Sequence, residues 1–163
     1  MKNECIIDGI ISLPSNAFYT TPKKTYILAL TKKDGRTEDE READKQTEPV
    51  FTYLVSNIGE TLDVKRFSTP DKNDLIEMIS LFNQFKGAKN SFKASSLRCK
   101  IQPITKFNPD EHWSVDRWWS KNEKIELGIE EEDIIMTLAE FEQRVKDTSV
   151  KIKELNQKLK RLK

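Results

Sequence analysis

Short apolar runs in the first half of the chain give way to one long heptad seam at its end. The run Ile6–Leu13 is almost wholly apolar, broken only by Asp8, and stops at Pro14. It predicts a buried strand of a parallel sheet. Ser15-Asn16 make a turn, and Thr25–Thr31, reading TYILALT, predicts a second strand because it is short and rich in β-branched residues. Residues 32–48 hold no large apolar residue, and Lys33-Asp34-Gly35 is turn chemistry, so a long solvated loop or partly disordered hairpin tip is expected there. Val50–Ser56, VFTYLVS, predicts a third strand. Strand, charged excursion and strand in that order predict a β-hairpin with a long connection.

Helical spacing follows. Leu75, Met78, Ile79, Phe82 and Phe85 share one face, with Pro70-Asp71 and Asn73 as start signals and Gly87 as a C′ stop. Residues 88–109 are polar and interrupted, with a short strand expected over Arg98–Ile101. Trp113, Trp118 and Trp119 then fall close together beside His112, which predicts a packing anchor on a short helix or turn. From about Glu131 onward a helix is expected. Ile134, Leu138, Phe141, Val145, Thr148, Ile152, Leu155, Leu159 and Leu162 alternate in steps of four and three, an a/d seam with one polar member. A narrow stripe of this kind cannot bury itself, so it needs its own domain or a partner.

The fold class expected is α/β, or α+β. Residues 1–109 would form the main domain with its charged loop at 32–48, residues 110–128 a tryptophan-rich connector, and residues 129–163 a long amphipathic partner-binding helix. Composition fits one domain with an appendage: 163 residues, 36% hydrophobic, 9% aromatic and 34% charged. The net charge of +1 argues against a uniformly basic nucleic-acid binder, although residues 34–48 are acidic and the tail from Arg144 is basic on balance.

Candidate chemistry is sparse. Two distant cysteines, Cys5 and Cys99, and the lone His112 cannot supply a structural zinc site, and buried thiols and a structural histidine are expected instead. No G-x-S-x-G, Walker A or G-x-G-x-x-G run is present, and only 5 glycines are available. Glu130–Glu132 are expected to favour a helix N-terminus through its dipole. The apolar N-terminal patch is broken by Asp8 and lacks a basic start, and no stretch approaches a membrane span. A cytoplasmic chain is therefore expected.

Gly9–Leu30, GIISLPSNAFYTTPKKTYILAL, resembles the segment that follows the catalytic motif in N6-adenine DNA methyltransferases, the methylation subunits of type I restriction–modification systems. Leu13-Pro14, the pair Phe18-Tyr19 and Thr25-Tyr26-Ile27-Leu28 carry that order and spacing. The resemblance continues through Pro49–Tyr53, Ile58–Asp63, Leu81-Phe82-Asn83 and His112-Trp113-Ser114. It implies the end of a Rossmann-like methyltransferase sheet, with Phe18 or Tyr19 beside a flipped adenine and Lys23 and Lys24 near DNA. It also implies a C-terminal helix, with Ile134, Leu138, Phe141, Val145, Ile152, Leu155, Leu159 and Leu162, that docks a DNA-specificity subunit.

The departures matter as much. The family's N-P-P-[FY] loop and the glycine turn that holds S-adenosylmethionine are both missing from these residues. The expectation is a fragment or split half of such an enzyme that is inactive alone, catalyses through no residue of its own, and holds no cofactor. S-adenosylmethionine would belong to the complete enzyme, whose catalytic N-terminal half and specificity subunit would be this chain's partners. As part of a larger sheet, the first strand is expected to expose an edge, and the chain to associate with itself when alone. The competing expectation is a non-enzymatic interaction module that dimerises through its C-terminal coiled coil.

Overall fold

The computed structural model describes residues 4–35, 37–108, 111–130 and 138–161. Its strands are β1 (Cys5–Leu13), β2 (Thr25–Lys32), β3 (Val50–Leu54), β4 (Ile58–Glu60), β5 (Ser68–Asn73) and β6 (Cys99–Gln102). Its helices are α1 (Glu38–Ala43), α2 (Asp74–Gly87), α3 (Lys121–Glu126) and α4 (Leu138–Arg161). The chain divides into two compact units, residues 1–130 and 131–163.

In the first unit, four strands form a mixed sheet in the order β2-β1-β3-β6. β1 pairs antiparallel with β2 and parallel with β3, and β3 pairs antiparallel with β6. Two expectations are corrected here. The second and third strands do not form a hairpin, because β1 lies between them and the hairpin is β1–β2. Nor does the first strand expose an edge: seven consecutive residues of β1 are buried, and β2 is the edge. The physical reason is burial capacity. β1 offers apolar residues to both faces and must sit inside the sheet, as a strand covered on both sides does.

β3 shows how the two faces are filled. Val50 and Leu54 point to a core with Ile7, Ile10, Phe107, Val115, Trp119 and Leu127. Phe51, Tyr53 and Val55 point the opposite way, to Ile11, Leu13, Leu81, Phe85 and Cys99. The tryptophan-rich segment thus covers one face and α2 the other. Each fully buried side chain of the size of Phe51 adds about 2–3 kcal/mol through lost apolar contact with water.

Ile7 and Ile10 share a face although they are three residues apart. A β-bulge between Ile7 and Gly9 absorbs the odd residue, Asp8. Gly9 has its own reason: a Cβ there would meet the ring of Phe82 at 3.0 Å and the carbonyl of Phe51 at 3.2 Å. α2 can approach the sheet this closely only over a residue without a side chain.

The charged excursion is more ordered than its composition implies. Residues 38–43 form α1, capped by Thr37, whose side chain accepts from the Glu40 amide at 3.2 Å while Glu40 accepts from the Thr37 amide at 3.0 Å. The run Thr37-Glu38-Asp39-Glu40 carries this capping box in the sequence. Lys33 is buried, and its ammonium donates to the carbonyls of Arg41 and Asp44 at the helix end. The amide of Gln46 bonds both the N–H and the C=O of Ile7, at 2.8 and 2.9 Å, and so continues β1 where β3 has not yet begun.

Pro70-Asp71 belong to β5, in a two-stranded sheet with β4, and not to a helix start. α2 begins at the Asn73 cap, whose side chain accepts from the Leu75 amide at 3.1 Å. Gly87 is the last residue of that helix, with Ala88 as its C-cap. The tryptophan anchor is present: Trp119 is buried and donates from Nε1 to the Leu97 carbonyl at 2.7 Å.

In the second unit, α4 is a single 24-residue helix. Of the expected seam, Ile134 and Leu162 lie outside the described residues, as do the side chains of Leu138, Phe141, Leu155 and Leu159. Val145 and Ile152 are about half exposed. No coiled-coil pair of long helices is present among the described residues.

Candidate functional site

The parallel strands β1 and β3 run side by side and end together, at Leu13-Pro14 and at Leu54-Val55, where Val55 donates to the Ser12 carbonyl at 2.9 Å. In sheets of this kind ligands gather at the carboxyl ends of the strands, where loops diverge and backbone groups lack ladder partners. A cleft of about 370 Å³ lies there, lined by Pro14, Ser15, Leu54, Val55 and Ser56 together with Lys24 and Leu62.

Beside it, a hollow of about 190 Å³ is bounded by the β1–β2 loop and the β4–β5 loop, and Leu62 lines both cavities. Phe18 and Tyr19 stand on the first of these loops, 52% and 76% exposed. The loop is a tight turn closed by the Phe18–Thr21 bridge. Val64 and Phe67, on the second loop, are also exposed. Phe18, Tyr19 and Val64 thus bring large exposed apolar side chains to the rim of one hollow.

The two lysines of this loop differ. Lys23 is exposed. Lys24 is held at 2.6 Å by Asp116, which also accepts from the hydroxyls of Ser12 at 2.9 Å and Tyr26 at 2.5 Å. Burial pushes the Asp116 carboxyl up, but the hydrogen bonds from Lys24 and Tyr26 and the lysine charge outweigh it and bring it below the usual aspartate value. Burial, reinforced by Asp116, pushes the Tyr26 phenol up. The arrangement ties the far stem of the Phe18–Tyr19 loop to the tryptophan-rich segment. Asp116 was not singled out in the sequence, since an aspartate between tryptophans carries no motif.

Beyond the end of β3, Arg98 and Asp74 meet at 3.1 Å, and Asp74 accepts from the amides of Ser56 and Asn57 at 2.8 Å each. This fixes the end of β3 against the start of α2. Ser56 and Arg98 both donate to the Leu127 carbonyl, bringing the turn at Gly128 to the cleft. His112 is exposed and lines a different cavity, with Trp113, Tyr26, Leu28 and Ile10. No cluster of three or more metal-ligating side chains exists among the described residues. Glu130 pairs with Lys124 at 3.0 Å.

The residues do not fit an S-adenosylmethionine site. The turns that follow the two parallel strands, Pro14-Ser15-Asn16 and Val55-Ser56-Asn57, hold no glycine, and Pro14 has no amide to offer a ligand. Gly9 lies inside the sheet, Gly59 within β4, and Gly128, which does reach the cleft, follows α3 and not a strand of the parallel pair.

Neither the comparison with curated proteins nor that with solved structures gave a match. The family model described as N-6 DNA Methylase matches residues 1–126, which takes in the whole mixed sheet, the Phe18–Tyr19 loop and Asp116. With more than half of its length matched, and the sheet and its carboxyl-end loops inside the match, the chain belongs to the N-6 DNA methylase family.

Proposed function

We propose that this chain supplies the base-stacking part of a type I restriction–modification DNA adenine-N6 methyltransferase, working with a catalytic half that carries the N-P-P-[FY] loop and the S-adenosylmethionine pocket. One observation carries the reading: Phe18 and Tyr19 stand exposed on the loop at the carboxyl edge of the parallel pair, inside the residues that match the family. An adenine rotated out of the duplex loses its stacking neighbours, and an exposed aromatic face restores them. Such a contact is worth about 1–3 kcal/mol per base. On this reading Lys23, exposed on the same loop, meets a phosphate, whereas Lys24 is engaged by Asp116.

Among the described residues nothing is arranged to hold the adenine amino group or the methyl donor, and on this reading the chain is inactive alone. The partner-facing surfaces are the open edge of β2 and the apolar stripe of α4. β2 presents Ile27, Leu28 and Leu30 about 40% exposed, an unprotected edge that another strand would cover. α4, with Val145 and Ile152 exposed, is assigned to a DNA-specificity subunit. The exposed Val145 and Ile152 also favour a second reading, a non-enzymatic module that dimerises through α4. Sedimentation of the isolated chain with and without Ile152→Glu separates the two.

The test is co-expression with a polypeptide carrying the N-P-P-[FY] loop, followed by transfer of labelled methyl groups to adenine in DNA. A stable complex that methylates, and loses about tenfold or more of its kcat/KM when both Phe18 and Tyr19 become Ala, supports the proposal. A complex that transfers methyl groups equally well without the two rings refutes the base-stacking role.

A further inference from the structure

Asn16, at 61°, and Arg66, at 52°, are the only non-glycine residues with positive φ among the described residues, and a hydrogen bond joins them. The Arg66 guanidinium donates from Nη2 to the Asn16 carbonyl, across from the tip of the β4–β5 loop to the start of the β1–β2 loop. Backbone held in this region is costly for residues with a Cβ and persists where surrounding contacts over-determine it. Here those contacts are visible. The Asp63 carboxylate accepts from the amides of Lys65 at 2.8 Å and Arg66 at 3.1 Å, which turns the chain so that Arg66 reaches the neighbouring loop.

What Arg66 reaches is Tyr19. Its guanidinium lies over the ring, 4.6 Å from the centroid. Nε and Nη1 are shielded from water and have no hydrogen-bond partner among the described residues, so the ring face, the Asn16 carbonyl and the nearby charge of Asp63 hold the group. Phe18 has no ring or cation stacked on it among the described residues, and its hollow is shared with Tyr19 and Arg66. Tyr19 is thus backed on one face and remains 76% exposed, whereas Phe18 is neither backed nor as open.

We propose that Arg66 is a positioning residue that sets the ring of Tyr19 as the base-stacking platform, and that Tyr19 rather than Phe18 receives the base. This rests on the base-stacking reading above and assigns within it the ring and its support. A ring whose orientation is fixed before binding loses less freedom when a base covers it, so the contact is stronger than that of a free side chain. A cation–π contact at an exposed site is of the right strength to select one ring orientation without locking the loop.

The probe is a short single-stranded oligonucleotide with 2-aminopurine in place of one adenine, bound to the full chain and followed by fluorescence quenching at several salt concentrations. Tyr19→Ala weakens binding about tenfold and removes the quenching. Arg66→Ala weakens it about fivefold and adds nothing to Tyr19→Ala, because the two act as one unit. Arg66→Lys restores part of the loss, and Phe18→Ala changes binding by less than about threefold. None of these variants alters the thermal midpoint by more than about 2 °C, since the loop lies outside both cores.

Additive losses from Arg66→Ala and Tyr19→Ala, with a salt slope lowered by about one, would make Arg66 a direct phosphate contact and overturn the proposal. Quenching that survives Tyr19→Ala and vanishes in Phe18→Ala overturns it too, while leaving the base-stacking reading intact. A wild-type chain that shows no binding or quenching, alone and in complex with the catalytic half, defeats both.

Discussion

Asp8 interrupts the most apolar strand of the chain, and its surroundings explain how it is tolerated. It is nearly inaccessible, and its carboxylate meets Lys86 at 2.8 Å, Lys89 at 2.7 Å and the hydroxyl of Thr31. Burial raises its pKa, but the hydrogen bonds from Lys86, Lys89 and Thr31 and the charge of Lys89 lower it further than burial lifts it. A carboxyl held below its unfolded value contributes stability in full above that value and loses it as pH falls through the folded one. The Asp8 contribution is therefore complete above roughly pH 5 and fades on acidification through the ordinary carboxylate range. Asp8→Ala is expected to cost about 2 kcal/mol in urea unfolding at pH 7, less than for a sealed pair because Lys86 can turn to water. In the same experiment at low pH the difference shrinks. The cysteines offer a second check. Cys99 is buried and its thiol is pushed up to about 12 by burial and by Glu77, whereas Cys5 is only half-buried. One thiol should react with a disulfide reagent in the folded protein and the second only on unfolding.

Among the elements, β2 is the one whose position in the sheet decides most. Its pattern TYILALTK has apolar residues at both parities, which suits a strand covered on both faces, yet it lies at the edge with Tyr26, Ile27, Leu28 and Leu30 exposed. Ile27→Lys places a charge on this edge, the device by which exposed strands avoid pairing with others. The expected result is less self-association by light scattering and less binding of an apolar dye, together with loss of the complex with the catalytic half. If the complex forms as well as with wild type, β2 is not the docking edge. α1 shows the opposite case, an element whose start is set by local rules. Thr37 and Glu40 close both ends of a capping box, so six residues without a core side chain still form a helix.

For the whole molecule, the division at residue 130 sets separate expectations for the two units. The first unit contains both buried clusters, and Trp119, Val115 and Leu127 close one of them from the C-terminal side. A chain ended after Glu130 is expected to keep the sheet's circular dichroism and a cooperative melt within about 5 °C of the full chain. It should lose whatever association depends on α4. A melt that becomes broad or falls much further would show that residues 131–163 contribute to the core.

The sequence by itself determined the strands near Ile6–Leu13, Thr25–Thr31 and Val50–Ser56, the helix that carries Leu75–Phe85, and the tryptophan anchor. In each, apolar period and cap chemistry act over a few neighbouring residues, and such rules are local. The resemblance of Gly9–Leu30 to the family brought Phe18 and Tyr19 forward, because the Leu-Pro, the aromatic pair and the T-x-I-L run lie in that order within one short stretch. Only the tertiary structure decided the strand order, since placing β1 between β2 and β3 depends on which strand can be buried on both faces at once. The same holds for Asp116 and Arg66. One acts on Lys24 from 92 residues away, and the other reaches Asn16 from 50. Their roles arise from loops brought together by the sheet, and no spacing along the chain encodes that proximity.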